Sequence, residues 1–262
     1  MTAGASPWRR RALLAGGAMA VVAWVVGIPR LGGLWRASLS FRDMPGLAPF
    51  RMLETAGTVS TASGLLTGLD DPQPMDPQQA EVIAEVRADP CLALFGPTPD
   101  PRLPIAFFSD FNCPNCRVLD AILIAYDADH PGTIRIVRHE LPLLGEASNI
   151  ASKAVLAANL QGGYSVLQAR LMRARMLTDL NYVKSVALSV GLDGSRLVAD
   201  MQSPQIELAL NRSRAIAKLF GFYGTPATVI GRSLFLGAIP AADVAQIIEA
   251  ELAAPNRACR LG

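Results

Sequence analysis

The chain has 262 residues, 51% of them hydrophobic and 18% charged, which is enough to bury one substantial core with appendages. The net charge of +2 conceals a split. Residues 1–42 carry six arginines and no acid, leaving 18 basic and 22 acidic residues, a net of −4, in the remainder. A mildly acidic, aromatic-poor body gives no reason to expect nucleic-acid binding, and the basic charge belongs to targeting.

Arg9, Arg10 and Arg11 precede an uncharged apolar run over residues 12–28. Its length sits at the short limit of a bilayer span and exceeds a usual signal-peptide core, about 7–15 residues. Pro29-Arg30-Leu31 follows without a small-x-small cleavage site, and Ser38-Leu39-Ser40 supplies only a weak, late one. Residues 1–29 therefore read as a basic region and an uncleaved signal anchor, with a removed signal peptide as the alternative. Arg10-Arg11-Ala12-Leu13-Leu14 also resembles the twin-arginine export signal, without the usual polar residue before the pair. Every version places the body in the periplasm or on the outer face of the cytoplasmic membrane, where disulfides persist.

Residues 30–88 read as a tether and lead-in, with packing on the main domain as an option. Gly32-Gly33, Pro45-Gly46 and a cluster over 70–77 punctuate short apolar pieces, and 78–87 has the pattern of a brief amphipathic helix. From residue 89 the pattern organises into a domain. Residues 105–109 form a short apolar strand, 113–129 a helix, and 134–138 an alternating strand after the turn at His130-Pro131-Gly132. A mostly helical block covers about 147–220, divided by Gly162-Gly163, Gly191 and Gly194. Strands at 227–230 and 233–236 flank Gly231-Arg232 as a hairpin, and 241–252 is a last helix. The order βαβ, helical insert, ββα predicts an α/β, thioredoxin-like fold interrupted by a helical domain.

The chemistry lies in Phe107-Phe108-Ser109-Asp110-Phe111-Asn112-Cys113-Pro114-Asn115-Cys116. An apolar strand delivers Cys113 and Cys116 to the first turn of a helix, where unpaired N–H groups and the macrodipole favour a thiolate, the attacking species. Two intervening residues let one sulfur reach the other and close a reducible disulfide. Cys-x-x-Cys also binds metal, but zinc wants four ligands and no second close Cys or His pair exists in the chain. Cys91 and Cys259 flank the core; an even cysteine count in an exported chain suggests that they form a structural disulfide, the alternative being two idle or intermolecularly paired thiols. Asp110 is a candidate proton acceptor beside the inner thiol or a solvated strand-end residue, and Glu140 is a weaker candidate for the same role. His130 and His139, the only histidines, read as structural or surface residues.

These residues resemble the DsbA-type family of exported disulfide oxidoreductases. Four segments carry the likeness in order: residues 107–116; Glu140-Leu141-Pro142-Leu143-Leu144-Gly145-Glu146-Ala147-Ser148; residues 217–227, which include Gly224-Thr225-Pro226; and the hairpin over 229–236 followed by Gly237-Ala238. The resemblance covers about residues 89–253. It implies that Cys113 is the exposed nucleophile and Cys116 the buried resolving thiol. It also implies that Thr225 and Pro226 hold a cis peptide bond whose backbone offers strand-like hydrogen bonds to an extended substrate. No cofactor is expected besides the redox-active Cys113–Cys116 disulfide, and no metal. The implied partners are unfolded or folding exported proteins and an oxidase- or reductase-type membrane redox protein. Pro114-Asn115 lacks the histidine that vigorous oxidants of the family often carry, which argues against extreme oxidising power. The leading reading is a disulfide oxidase; a reductase or isomerase, a metal-binding thioredoxin-like module, and a non-catalytic scaffold or chaperone are the alternatives.

Overall fold

In the computed structural model, residues 39–55, 57–61, 77–174, 179–254 and 259 are described. The anchor expected over residues 12–28 lies outside them. Among the described residues no helix is long and apolar enough to cross a membrane.

Strand β3 (Leu103–Ser109) is the centre of the domain. Its residues Ile105, Ala106, Phe107 and Phe108 are all fully buried, so the run shows no alternation. A strand covered on both faces reads this way. It pairs in parallel with β4 (Ile134–Glu140) and antiparallel with β5 (Ala227–Ile230), which pairs in turn with β6 (Ser233–Leu236). Two further strands, β1 (Phe41–Asp43) and β2 (Arg51–Leu53), extend the sheet to the order β1-β2-β6-β5-β3-β4. The first of these had no sequence signal, because three-residue strands are too short to establish a period of two.

The described part of residues 30–88 packs on the main domain, the option that the tether reading allowed. Strand β2 runs parallel to β6, and helix α1 (Pro77–Ala88) packs on the long helix before β5. Arg51 fixes the attachment: its Nε donates to Ser233 Oγ at 2.9 Å and its Nη2 to the buried Glu251 at 3.0 Å. Phe50 and Val86 from this region are fully buried with Phe95, Phe108 and Phe220 in one core. The unit therefore begins near Ser40 rather than at residue 89.

Helix α2 (Pro90–Phe95) is capped by Asp89, which accepts from Leu92 N at 2.8 Å. Helix α3 (Pro114–Asp129) follows β3. The helical insert comprises α4 (Glu146–Ala158), α5 (Tyr164–Met172), α6 (Leu180–Ser189), α7 (Gly194–Asp200) and α8 (Pro204–Phe220). Asp179 and Asp193 cap α6 and α7 through their carboxylates, and Gly221 ends α8 in the left-handed conformation that a Cβ disfavours. Helix α9 (Ala241–Ala253) closes the chain over the sheet, burying Val244, Ile247 and Ile248. The structure joins Cys91, in α2, to Cys259 beyond α9 in a disulfide.

Candidate active site

At the end of β3 the chain enters Asp110, a fully buried residue. Its carboxylate accepts from the backbone N–H groups of Asn112 (2.8 Å), Leu143 (2.7 Å) and Leu144 (2.9 Å) and from the Ser148 hydroxyl (2.7 Å). One side chain thus ties the thiol loop to the loop entering α4. Asp110 reaches Cys116 through its backbone N–H, 3.5 Å from the sulfur. This geometry makes it a positioning residue and corrects the solvated strand-end reading. Glu140 is also engaged elsewhere: it is buried and accepts from the Tyr164 hydroxyl at 2.5 Å, and burial raises its pKa.

Cys113 is the N-cap of α3, with an extended backbone (φ −81°, ψ 114°), and Pro114 occupies the first turn, where a missing N–H costs nothing. The Cys113 sulfur accepts the Cys116 backbone N–H at 3.1 Å, taking the place of the oxygen in an ordinary cap. Hydrogen bonding with Cys116, helped by Ser60 and Thr225, outweighs burial and brings Cys113 down from 9.0 to about 6. Cys116 moves the other way: burial, then the neighbouring Cys113 sulfur, push it up. The pair is therefore asymmetric, one ready thiolate and one protonated thiol.

Thr225–Pro226 is a cis peptide, and the Thr225 carbonyl lies 3.5 Å from the Cys113 sulfur. The structure thus brings together Cys113, Cys116, Thr225 and Pro226 from two distant parts of the chain. Both cysteines carry free thiols and both are fully buried. The expectation of an exposed Cys113 is corrected, and the physical reason is a segment that sequence reasoning missed. Residues 57–61 cross this face: Ser60 exchanges backbone hydrogen bonds with Thr225 at 2.7 and 2.9 Å, and its side chain helps to lower the Cys113 pKa. Asn115 donates to Ser60 Oγ at 3.2 Å.

His139 donates from Nε2 to the Leu94 carbonyl at 2.8 Å and stacks on Phe108, and burial lowers its pKa to about 4. His130 stacks on Tyr126. Both have structural occupations. Among the described residues no group of three or more His, Cys, Asp or Glu is placed to hold a metal ion.

Residues 104–249 match the model of the DSBA-like thioredoxin domain. A thioredoxin-like oxidoreductase from Silicibacter pomeroyi is 31% identical, with a TM-score of 0.57 over 63% of this chain and 99% of that one. The ScsC protein of Proteus mirabilis, solved in a transitional conformation, is 25% identical at a TM-score of 0.56, covering 67% of this chain and 84% of that one. The thiol-disulfide exchange protein alpha-DsbA2 of Wolbachia pipientis shares the fold at 20% identity and a TM-score of 0.57, over 68% of this chain and 99% of that one. No curated protein matches.

Proposed function

The chain belongs to the DSBA-like thioredoxin domain family and is a protein-disulfide oxidoreductase, and from that premise we propose that it works outside the cytoplasm as a disulfide oxidase. The observation that carries this reading is the opposed pair of thiols, Cys113 brought down to about 6 and Cys116 pushed up. A thiolate held at the cap of α3 stabilises the reduced protein relative to its disulfide, which favours passing the disulfide on. A substrate thiolate attacks Cys113 of the oxidised protein, the Cys113–Cys116 bond breaks, and a mixed disulfide forms. A second substrate thiol then attacks that bond and Cys113 leaves as its stable thiolate. The substrate loses two electrons and two protons in total; the protein keeps both electrons and one proton, on the Cys116 thiol, and the other proton goes to solvent while Cys113 stays a thiolate. Cys116, protonated and buried, is the resolving thiol of the reverse step.

Export is supported by Arg9, Arg10 and Arg11 before the apolar run over 12–28, and an oxidising compartment suits a chain whose other two cysteines are joined. Exported proteins with free thiols are then the substrates, and a membrane redox protein that accepts two electrons restores the disulfide. The test is the equilibrium potential of the Cys113–Cys116 pair in glutathione buffers, with Cys91→Ser and Cys259→Ser to isolate it. A value well above about −270 mV, the thioredoxin level, is expected. A value at or below that level overturns the oxidase reading in favour of a reductase. Cys113→Ser removes exchange in either case.

A further inference from the structure

Residues 57–61 pair with the sheet by backbone alone. Gly57 N donates to Leu236 O at 2.7 Å, and Thr58 and Ala238 exchange bonds at 3.3 and 3.0 Å. Two residues on, Ser60 N donates to Thr225 O and Thr225 N to Ser60 O, an antiparallel pair. Thr225 has one N–H, and Ser60 holds it. A substrate strand cannot pair with Thr225 until Ser60 leaves.

The approach is built for closeness. A Cβ on Gly57 would stand 2.3 Å from Ala238 O, one on Gly237 2.3 Å from the Gly57 carbonyl carbon, and one on Gly224 2.9 Å from Ser60 O. Three glycines thus let two backbones meet at this edge. The residue set against Cys113 is a serine, which has the shape of cysteine with oxygen in place of sulfur. Its Oγ accepts from Asn115, inside the Cys-x-x-Cys motif itself, at 3.2 Å, and its side chain is one of those that lower the Cys113 pKa.

We infer that residues 57–61 are a built-in pseudosubstrate: the segment fills the strand position of a substrate peptide at Thr225, with Ser60 standing where the substrate cysteine reacts. The inference rests on the proposed exchange at Cys113 and adds its regulation. The resting protein shields its nucleophile, and a substrate gains access by displacing a strand that has the same backbone bonds but no thiol. Peptides that bind extended, with small residues beside the cysteine as Thr61 is beside Ser60, are the class that fits.

Two full-length variants test it. In oxidised Ser60→Cys, the introduced thiolate attacks Cys113, the Cys113–Cys116 bond breaks, and Cys116 takes up a proton as the free thiol. No external oxidant is needed. A disulfide between position 60 and Cys113, read by peptide mapping, is the expected product. Gly57→Val pushes the segment off Ala238, and alkylation of Cys113 in the reduced protein should then quicken about tenfold or more, as local opening controls access to a buried group. Exchange with a synthetic Thr-Val-Cys-Thr peptide should quicken with it. Failure to form the link, or equal alkylation rates in Gly57→Val and the parent, overturns the pseudosubstrate. Faster alkylation without faster peptide exchange also overturns it, since the segment would then cover the thiol without occupying the peptide site. Exchange with glutathione in the unaltered protein reads the underlying assignment separately: its absence in parent and variants alike removes Cys113 as the nucleophile and the pseudosubstrate with it.

Discussion

A titration of Cys113 tests the chemistry most directly. In the reduced protein the group falls from 9.0 to about 6, chiefly through hydrogen bonding with the Cys116 side chain, with Ser60, Thr225 and the Cys116 backbone N–H at the cap of α3 adding smaller shares. At pH 7 it is then about nine-tenths ionised, whereas an unperturbed thiol is about one-hundredth ionised. The ionisation favours the folded reduced protein by about 1.4 kcal/mol at pH 7 and by about 4 kcal/mol at and above pH 9. Because the folded pKa is the lower one, this contribution is complete above the unfolded value and is lost as pH falls from 9 through 6. Cys116, pushed up, is protonated in both states at pH 7 and adds nothing there. Applied to the redox couple, about 1.4 kcal/mol raises the potential by about 30 mV, a fifth of the roughly 150 mV separating thioredoxin from DsbA. The depressed thiol alone therefore supplies a small part of that gap, in keeping with the absence of histidine between Cys113 and Cys116. The assay is the rate of iodoacetamide alkylation at Cys113 against pH, with the site confirmed by mass spectrometry. An inflection near 6 is expected, and Ser60→Ala should raise it by about one unit, the weight of one hydrogen bond to a charged group. An inflection near 9.0, the unperturbed value, refutes the stabilisation of the thiolate.

Two further substitutions probe the frame around the thiols. Asp110→Ala leaves three backbone N–H groups and the Ser148 hydroxyl without their acceptor in a fully buried place, at about 1–3 kcal/mol for each group that stays unpaired. A loss of about 3–5 kcal/mol in urea unfolding is expected, with Asp110→Asn recovering part of it, and a loss below about 1 kcal/mol removes Asp110 as the organising residue. Cys91→Ser with Cys259→Ser opens a link between residues 168 apart in sequence. Stability of the oxidised protein should fall by about 2–5 kcal/mol, while the alkylation rate of Cys113 stays that of the parent. An unchanged unfolding midpoint denies the link a structural role.

The sequence was legible where side chains carried the signal. The run of Phe107, Phe108 and Phe111 before Cys113 marked β3 and the motif, because a central strand must be apolar on both faces. Gly162-Gly163, Gly191 and Gly194 marked the breaks in the helical insert, and Gly231-Arg232 turned the hairpin. Asp110 was visible as a residue of interest, but its burial was not, since three of its four donors lie 33 to 38 residues further along the chain. An acid after an apolar run looks the same whether it faces water or a ring of N–H groups.

The pseudosubstrate segment was invisible for a different reason, and the reason bears on how such a device works. Its hold on the sheet consists of five backbone bonds, a contact that any sequence without proline can make. A substrate is recognised at Thr225 by the same kind of bond, so neither the segment nor its competitor needs a distinctive composition. What the segment needs is permission to come close, given by Gly57, Gly224 and Gly237, and a side chain that matches cysteine without reacting, given by Ser60. Equivalent backbone bonds nearly cancel when one strand replaces another. The balance is then set by the intramolecular advantage of the tethered segment against the covalent bond that only a thiol-bearing strand can form with Cys113. A strand without cysteine gains nothing by displacing residues 57–61. Selectivity for thiols would therefore come before chemistry, from the segment itself, and Gly57→Val should lose it: the variant should bind cysteine-free Thr-Val-Ser-Thr peptide measurably where the parent does not.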